Sequence, residues 1–159
     1  MKHPLHLFSI LRCVWKARRP STINDMPAAV DTFWIKKGYQ AMTFFGTILT
    51  RTQKEADNIN GRLTALKNHE MIHLKQAVST GDSWWRFYWL YLKFWLQANR
   101  ARKQYPNAGY QLNPFEMEAY ERMHDFNYTE LCKDGATDWK RFAGMTLDER
   151  IKYEKNRLK

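Results

Sequence analysis

One stretch of this 159-residue chain states a chemistry directly: His69-Glu70-Met71-Ile72-His73. On an α-helix, side chains four apart lie on one face about one turn from each other, so His69 and His73 can present two imidazoles to one metal ion. Glu70 stands roughly 100° round the helix from His69, close to such an ion without being aimed at it. That placement suits a base acting on metal-bound water better than a third ligand. The pattern reads as part of a small zinc-dependent hydrolase, with a peptidase as the expected activity. The competing reading is an exposed helix carrying two solvated histidines. With five His in the chain, the pattern arises by accident about once in a hundred such chains, so its context has to decide.

Positioning the pair requires a packed helix. One is expected from about Arg62 to Val78, with Leu63, Leu66, Leu74, Ala77 and Val78 as its apolar face and Ser79-Thr80-Gly81 as its end. Thr52 and Glu55 form a capping-box pattern that opens a turn, with Asn58 or Asn60 capping the motif helix. Gln76 follows His73 by three and shares its side; it reads as a partner of the imidazole or, preferentially, as polar surface. Upstream, Thr32-Phe33-Trp34-Ile35 and Tyr39 to Thr50 are rich in aromatic and β-branched residues, with Gly38 between them. Two adjacent strands are the economical expectation, although periodicity also allows a buried helix over Tyr39 to Leu49.

Downstream, the run from Ser83 to Leu96 is almost entirely aromatic and aliphatic, interrupted only by Arg86 and Lys93 among charged residues. A bilayer span needs roughly 20 apolar residues, so this helix does not cross a membrane. The preferred reading is a buried core helix. The alternatives are an interfacial helix over residues 84–96 with its tryptophans at headgroup level, or a wall of a substrate cleft. Tyr105 to Asn113 reads as a loop. Asn113-Pro114-Phe115-Glu116 then opens a helix, with Asn as cap and Pro in the first helical position, running to about Phe126. Asp134-Gly135 marks a turn, and Thr146 to Glu149 caps a basic C-terminal helix.

Two imidazoles do not complete a catalytic zinc site; three protein ligands and an open position do. His124 is available, but no His follows at the spacing of a three-histidine motif. The motif together with Asn113-Pro114-Phe115-Glu116-Met117-Glu118-Ala119 resembles the gluzincins, in particular small bacterial members, over roughly Tyr39 to Glu121. The resemblance implies a Glu-x-x-Ala third ligand, which falls on Glu116 with Ala119 matching. It also implies an acid one turn later, where this chain has Tyr120. Glu116 has a competing role as capping partner of Asn113, in which case Glu118 becomes the ligand candidate.

The resemblance further implies an α+β, zincin-like fold: a small antiparallel sheet packed on the motif helix, with a glutamate-bearing helix and further helices. It implies Zn2+ on His69, His73 and Glu116, a peptide or protein substrate aligned on an edge strand within Tyr39 to Thr50, and Glu70 as the base that takes the water's proton. An oxyanion donor is expected, with Tyr105, Tyr110 and His124 among the candidates.

Composition sets the frame. Hydrophobic residues make up 44% and charged residues 26%, a globular balance that excludes a disordered chain. One domain over residues 1–159 is expected, with a core at about 31–126, an N-terminal arm or helix at 1–27 and a helical tail at 127–159. Net charge is +10, which permits anionic partners. The cations are spread and the aromatics cluster in one apolar run, so no specific nucleic-acid binding is expected. Cys13 and Cys132 cannot build a disulfide framework. The N-terminal apolar stretch is broken by His6, Ser9 and Arg12 and lacks a small-residue cleavage site, so a cytoplasmic protein is expected. The alternative function is a non-catalytic zinc-binding protein that uses its aromatic helix and basic surface to meet a membrane or protein partner.

Overall fold

The computed structural model describes residues 14, 17–31, 35 and 38–158. Among them lie eight α-helices and a three-stranded sheet, an α+β arrangement. The expected N-terminal helix lies almost wholly outside the described residues. So do Cys13 and, Ile35 excepted, the expected strand at 32–35.

The sheet contains β1 (Ala28–Val30), β2 (Ala41–Phe44) and β3 (Thr47–Thr50) in the order β1-β3-β2. It is mixed, which corrects the antiparallel expectation: β2 and β3 form an antiparallel hairpin, while β1 runs parallel to β3. The parallel pairing extends to both sides of β1, where Ile48 N–H donates to Pro27 and Asp31 N–H to Thr50. The segment Tyr39 to Thr50 is therefore two strands instead of one. Its tight turn falls at Phe45 and Gly46, both at positive φ (47° and 84°), as a two-residue hairpin of matching twist requires. Positive φ is strained for Phe45, and tertiary contacts offset it. Its ring is buried against Trp84, Trp85 and Tyr88, and its N–H donates to the Tyr88 hydroxyl.

Helix α1 (Gln53–Gly61) starts at a complete capping box between Thr52 and Glu55. The motif helix α2 (Ala65–Ser79) is capped by Thr64, whose side chain accepts from Lys67 N–H. Neither Asn58 nor Asn60 caps it. Asn60 instead brackets the backbone of Ala28, tying α1 to β1 through both its amide atoms. Every residue of α2 from Lys67 to Leu74 is buried, so the helix has no solvent face along its middle. Leu63, expected on the apolar face, precedes the helix and is exposed.

Helix α3 (Trp84–Ala98) begins at Ser83 and continues into a 3-10 turn, Asn99–Ala101. The expected loop after it contains a helical turn, α4 (Ala108–Gln111). Helix α5 (Pro114–Arg122) starts at Asn113, which accepts from Phe115 N–H. The chain closes with α6 (Tyr128–Leu131), α7 (Trp139–Gly144) and α8 (Leu147–Arg157), the last opened by the Thr146–Glu149 capping box.

The main core joins Ile48 of the sheet, Ile59 of α1, Leu74 and Ala77 of α2, Phe87 of α3 and Phe115 of α5. Each of the larger side chains, Ala77 excepted, contributes about 1.5–3 kcal/mol by leaving water. Residues of the tail pack on this core: Trp139 lies against Phe115 and donates to Ser79 at the end of α2. No helix among the described residues is long and apolar enough to cross a membrane.

Candidate metal centre

Helices α2 and α5 lie side by side and are fastened at both ends by side chains of α2. At one end Asn68 donates to the carbonyls of Met123 and Asp125, both at 3.0 Å, where α5 runs out and leaves carbonyls unpaired. At the other, Gln76 donates to the Phe115 carbonyl at 2.9 Å in the first turn of α5. His69, His73 and Glu116 face each other between these two fastenings.

These three buried residues form the one His/Cys/Asp/Glu group, among the described residues, that can hold a metal ion; their ligand atoms lie within 4.8 Å of one another. Nε2 of His69 is 3.2 Å from Glu116 Oε2, and Nε2 of His73 is 3.5 Å from Oε1. A tetrahedral ion with bonds of about 2.0–2.1 Å sets its ligand atoms about 3.3 Å apart, which the 3.2 Å between His69 Nε2 and Glu116 Oε2 matches. Glu116 Oε2 is buried and lacks a hydrogen bond despite the nearby imidazole. Oε1 is held by the Tyr91 hydroxyl at 2.7 Å, which leaves Oε2 as the oxygen for an ion. Two imidazole nitrogens and one carboxylate oxygen with no lysine or arginine beside them suit a divalent transition-metal ion.

Hydrogen bonding sets the tautomer of His73. The Gln76 amide nitrogen donates to Phe115 and, at 2.6 Å, to Glu118, so its oxygen must be the acceptor facing His73 Nδ1 at 2.8 Å. Nδ1–H donates, so in the neutral ring Nε2 carries the lone pair that an ion would take. Gln76 is fully buried, which corrects the surface expectation. Glu118 stands behind it and away from the metal ligands, accepting also from the Tyr128 hydroxyl and from Asp138 N–H. Burial raises its pKa, and these donors offset part of that rise. The alternative assignment of Glu118 as third ligand therefore has no geometric support.

His69 is supported differently. Tyr120 lays its ring 4.6 Å from the imidazole, while its hydroxyl meets Tyr110. It does not take the hydrogen-bonding role expected of an acid there, and His69 Nδ1 is buried without a partner among the described residues.

Electrostatics follow from burial and this pairing. Burial works to lower the His73 pKa, but the charge and hydrogen bonding of Glu116 outweigh it and raise the value to about 9. Burial would raise Glu116, but the two histidines hold its carboxyl far below the usual range. Burial, reinforced by Glu116, raises Tyr91 well above an ordinary phenol, keeping it a neutral donor.

Glu70 also lines the site. Its Oε2 accepts from the Thr43 hydroxyl of β2 at 2.7 Å. A cavity of about 400 Å³ opens beside it, walled by β2, by Phe87, Tyr88 and Tyr91 of α3, and by Tyr39 and Tyr110. Tyr110 is the one oxyanion candidate that reaches this cavity; Tyr105 does not, and His124 sits exposed in the turn after α5. Thr43 and Tyr91 carry no sequence signal, because each meets its carboxylate across separate elements. Searches of protein-family models, of curated proteins and of solved structures find no match to the chain.

Proposed function

We propose that this chain is a zinc-dependent metallopeptidase of gluzincin type, with His69, His73 and Glu116 as ligands and Glu70 as general base. The observation that carries the proposal is the convergence of the His-Glu-x-x-His helix with Glu116 at separations of 3.2 and 3.5 Å, with Glu70 on the wall of the same cavity. A bound zinc ion would supply Lewis acidity, lowering the pKa of a water to about 7 and polarising a scissile carbonyl.

The remaining work falls to the chain. Thr43 fixes one oxygen of Glu70, which directs the other towards the cavity to take a proton and return it to the leaving amine. Tyr91 and Gln76 hold Glu116 and His73 in ligand orientation. Among the described residues, strand β2 lies at a sheet edge, and it lines the cavity. In a two-residue hairpin, the Ala41 and Thr43 backbones point away from β3, where an extended peptide can pair. The Thr43 carbonyl already accepts from the Tyr88 hydroxyl, so pairing there rests on Thr43 N–H and on Ala41. The apolar walls favour a peptide over a charged small molecule.

The test compares bound zinc and peptide hydrolysis in the wild type, Glu70→Gln and Glu116→Ala. Glu70→Gln should keep zinc and lose turnover by about 10²–10⁴-fold, and Glu116→Ala should lose zinc affinity. Zinc-free wild-type protein from metal-replete expression, or full turnover in Glu70→Gln, overturns the proposal. Zinc bound without hydrolysis in the wild type points to the non-catalytic metal protein.

A further inference from the structure

Helix α3 divides its aromatic residues between two environments. Phe87, Tyr88 and Tyr91 face the cavity and core, whereas Trp85, Trp89, Leu92 and Leu96 are exposed at 68, 63, 55 and 55%. At roughly 100° per residue, the exposed four fall within a stripe about 60° wide. Arg86 and Lys93 sit along one side of the stripe, and Lys93 Nζ lies 5.7 Å from the Trp89 ring. The expectation of a fully buried helix is corrected: one face is core and the opposite face is a continuous apolar stripe in water.

The segment that carries the stripe has charges of one sign. From Ser83 to Phe115 the chain has five cations, Arg86, Lys93, Arg100, Arg102 and Lys103, and no Asp or Glu. None of the five has a carboxylate partner among the described residues. Large exposed apolar patches mark interaction sites, and here the charge selects the occupant. A second copy of the chain in a two-fold pairing would bring two sets of the cations Arg86 and Lys93 to one interface, with no acid of α3 to offset them. Leu92 and Leu96 offer nothing for a nucleobase to stack on. Tryptophans and leucines flanked by unpaired cations match a headgroup layer carrying negative charge.

We propose that α3 docks in the plane of an anionic lipid bilayer, with Trp85, Trp89, Leu92 and Leu96 in the headgroup–acyl boundary and Arg86 and Lys93 at lipid phosphates. The helix is 15 residues long, about 22 Å, and lies on the surface instead of spanning it. This inference stands apart from the metal site, since none of the six residues belongs to it.

The test is co-sedimentation of the full chain with vesicles of phosphatidylcholine alone and of phosphatidylcholine with phosphatidylglycerol, read alongside tryptophan fluorescence. Binding should be at least tenfold tighter to the anionic vesicles, weaken with salt, and shift the emission to the blue. W85S/W89S should abolish binding. R86Q/K93Q should weaken it roughly thirtyfold, as each cation near an anionic surface contributes about 1 kcal/mol. Circular dichroism checks that both variants fold; all four substituted side chains are exposed, and Trp85 alone of them also packs an edge on Phe45. No binding, equal binding by W85S/W89S, or a vesicle-free dimer that W85S/W89S makes monomeric overturns the proposal.

Discussion

His73 donates through Nδ1 to Gln76 at 2.8 Å, and Gln76 in turn donates to Glu118 at 2.6 Å. A neutral amide is thus interposed between the His73 imidazole and a buried carboxylate, passing on orientation without adding a second charge beside the ring. Gln76→Leu should remove this support and leave His73 Nδ1–H without its acceptor. Zinc affinity measured by chelator competition should fall about 10–100-fold, with a stability loss of about 1–3 kcal/mol in denaturant titration. Unchanged affinity would mean that packing alone holds the ring.

The His73–Glu116 pair makes the metal-free protein sensitive to alkali. The folded pKa of His73, about 9, exceeds its ordinary value of 6.5. The pairing therefore contributes its full stability below pH 6.5 and loses it as pH rises through 9. Denaturation of metal-free protein should show a decline on the order of 2–3 kcal/mol across that window, absent in Glu116→Gln. An ion needs the unprotonated ring, so apparent zinc affinity should rise about tenfold per pH unit from 7 to 9, with proton release on binding. A flat profile would contradict the pairing.

Thr43 and Glu70 give a cleaner separation of chemistry from binding. Thr43→Val keeps the shape of the side chain and deletes the hydroxyl on Glu70 Oε2. Metal content should be unchanged, and kcat for any peptide the wild type cleaves should fall about 10–100-fold as the carboxylate loses its fixed angle. Equal loss of metal and rate would assign Thr43 to folding instead.

Gly135 couples the C-terminal helices to the motif helix. Its φ is +104°, and a Cβ there would stand 2.5 Å from the Ser79 backbone nitrogen. Gly135→Ala should destabilise the protein by about 2–4 kcal/mol through strain and overpacking, and should also disturb the neighbouring Ala136 N–H to Lys75 bond. A thermal midpoint equal to wild type would show that the contact yields freely.

What was legible in the sequence lay in short-range spacing. His69 and His73 are four apart, Asn113-Pro114 marks a helix start, and Thr146 to Glu149 a capping box; each is a local geometric rule. The supports of the site are not local. Gln76 meets partners 39 and 42 residues away, Thr43 meets Glu70 across 27, and Tyr91 meets Glu116 across 25. No period encodes such contacts. The hairpin was hidden because Phe45 takes a conformation that glycine or asparagine ordinarily marks. The aromatic run read as uniform core because hydrophobicity alone does not tell a buried tryptophan from an exposed one.

The two fastenings of α2 to α5 end on backbone carbonyls, those of Met123 and Asp125 at one end and Phe115 at the other. The gap between α2 and α5 is consequently set by groups outside the His69–His73–Glu116 cluster. The site is a socket whose dimensions persist when its contacts are exchanged. If the proposed zinc site holds an ion, His69→Cys or Glu116→Asp should change the preference among cations while the protein stays folded, coordination being rewritten one donor at a time.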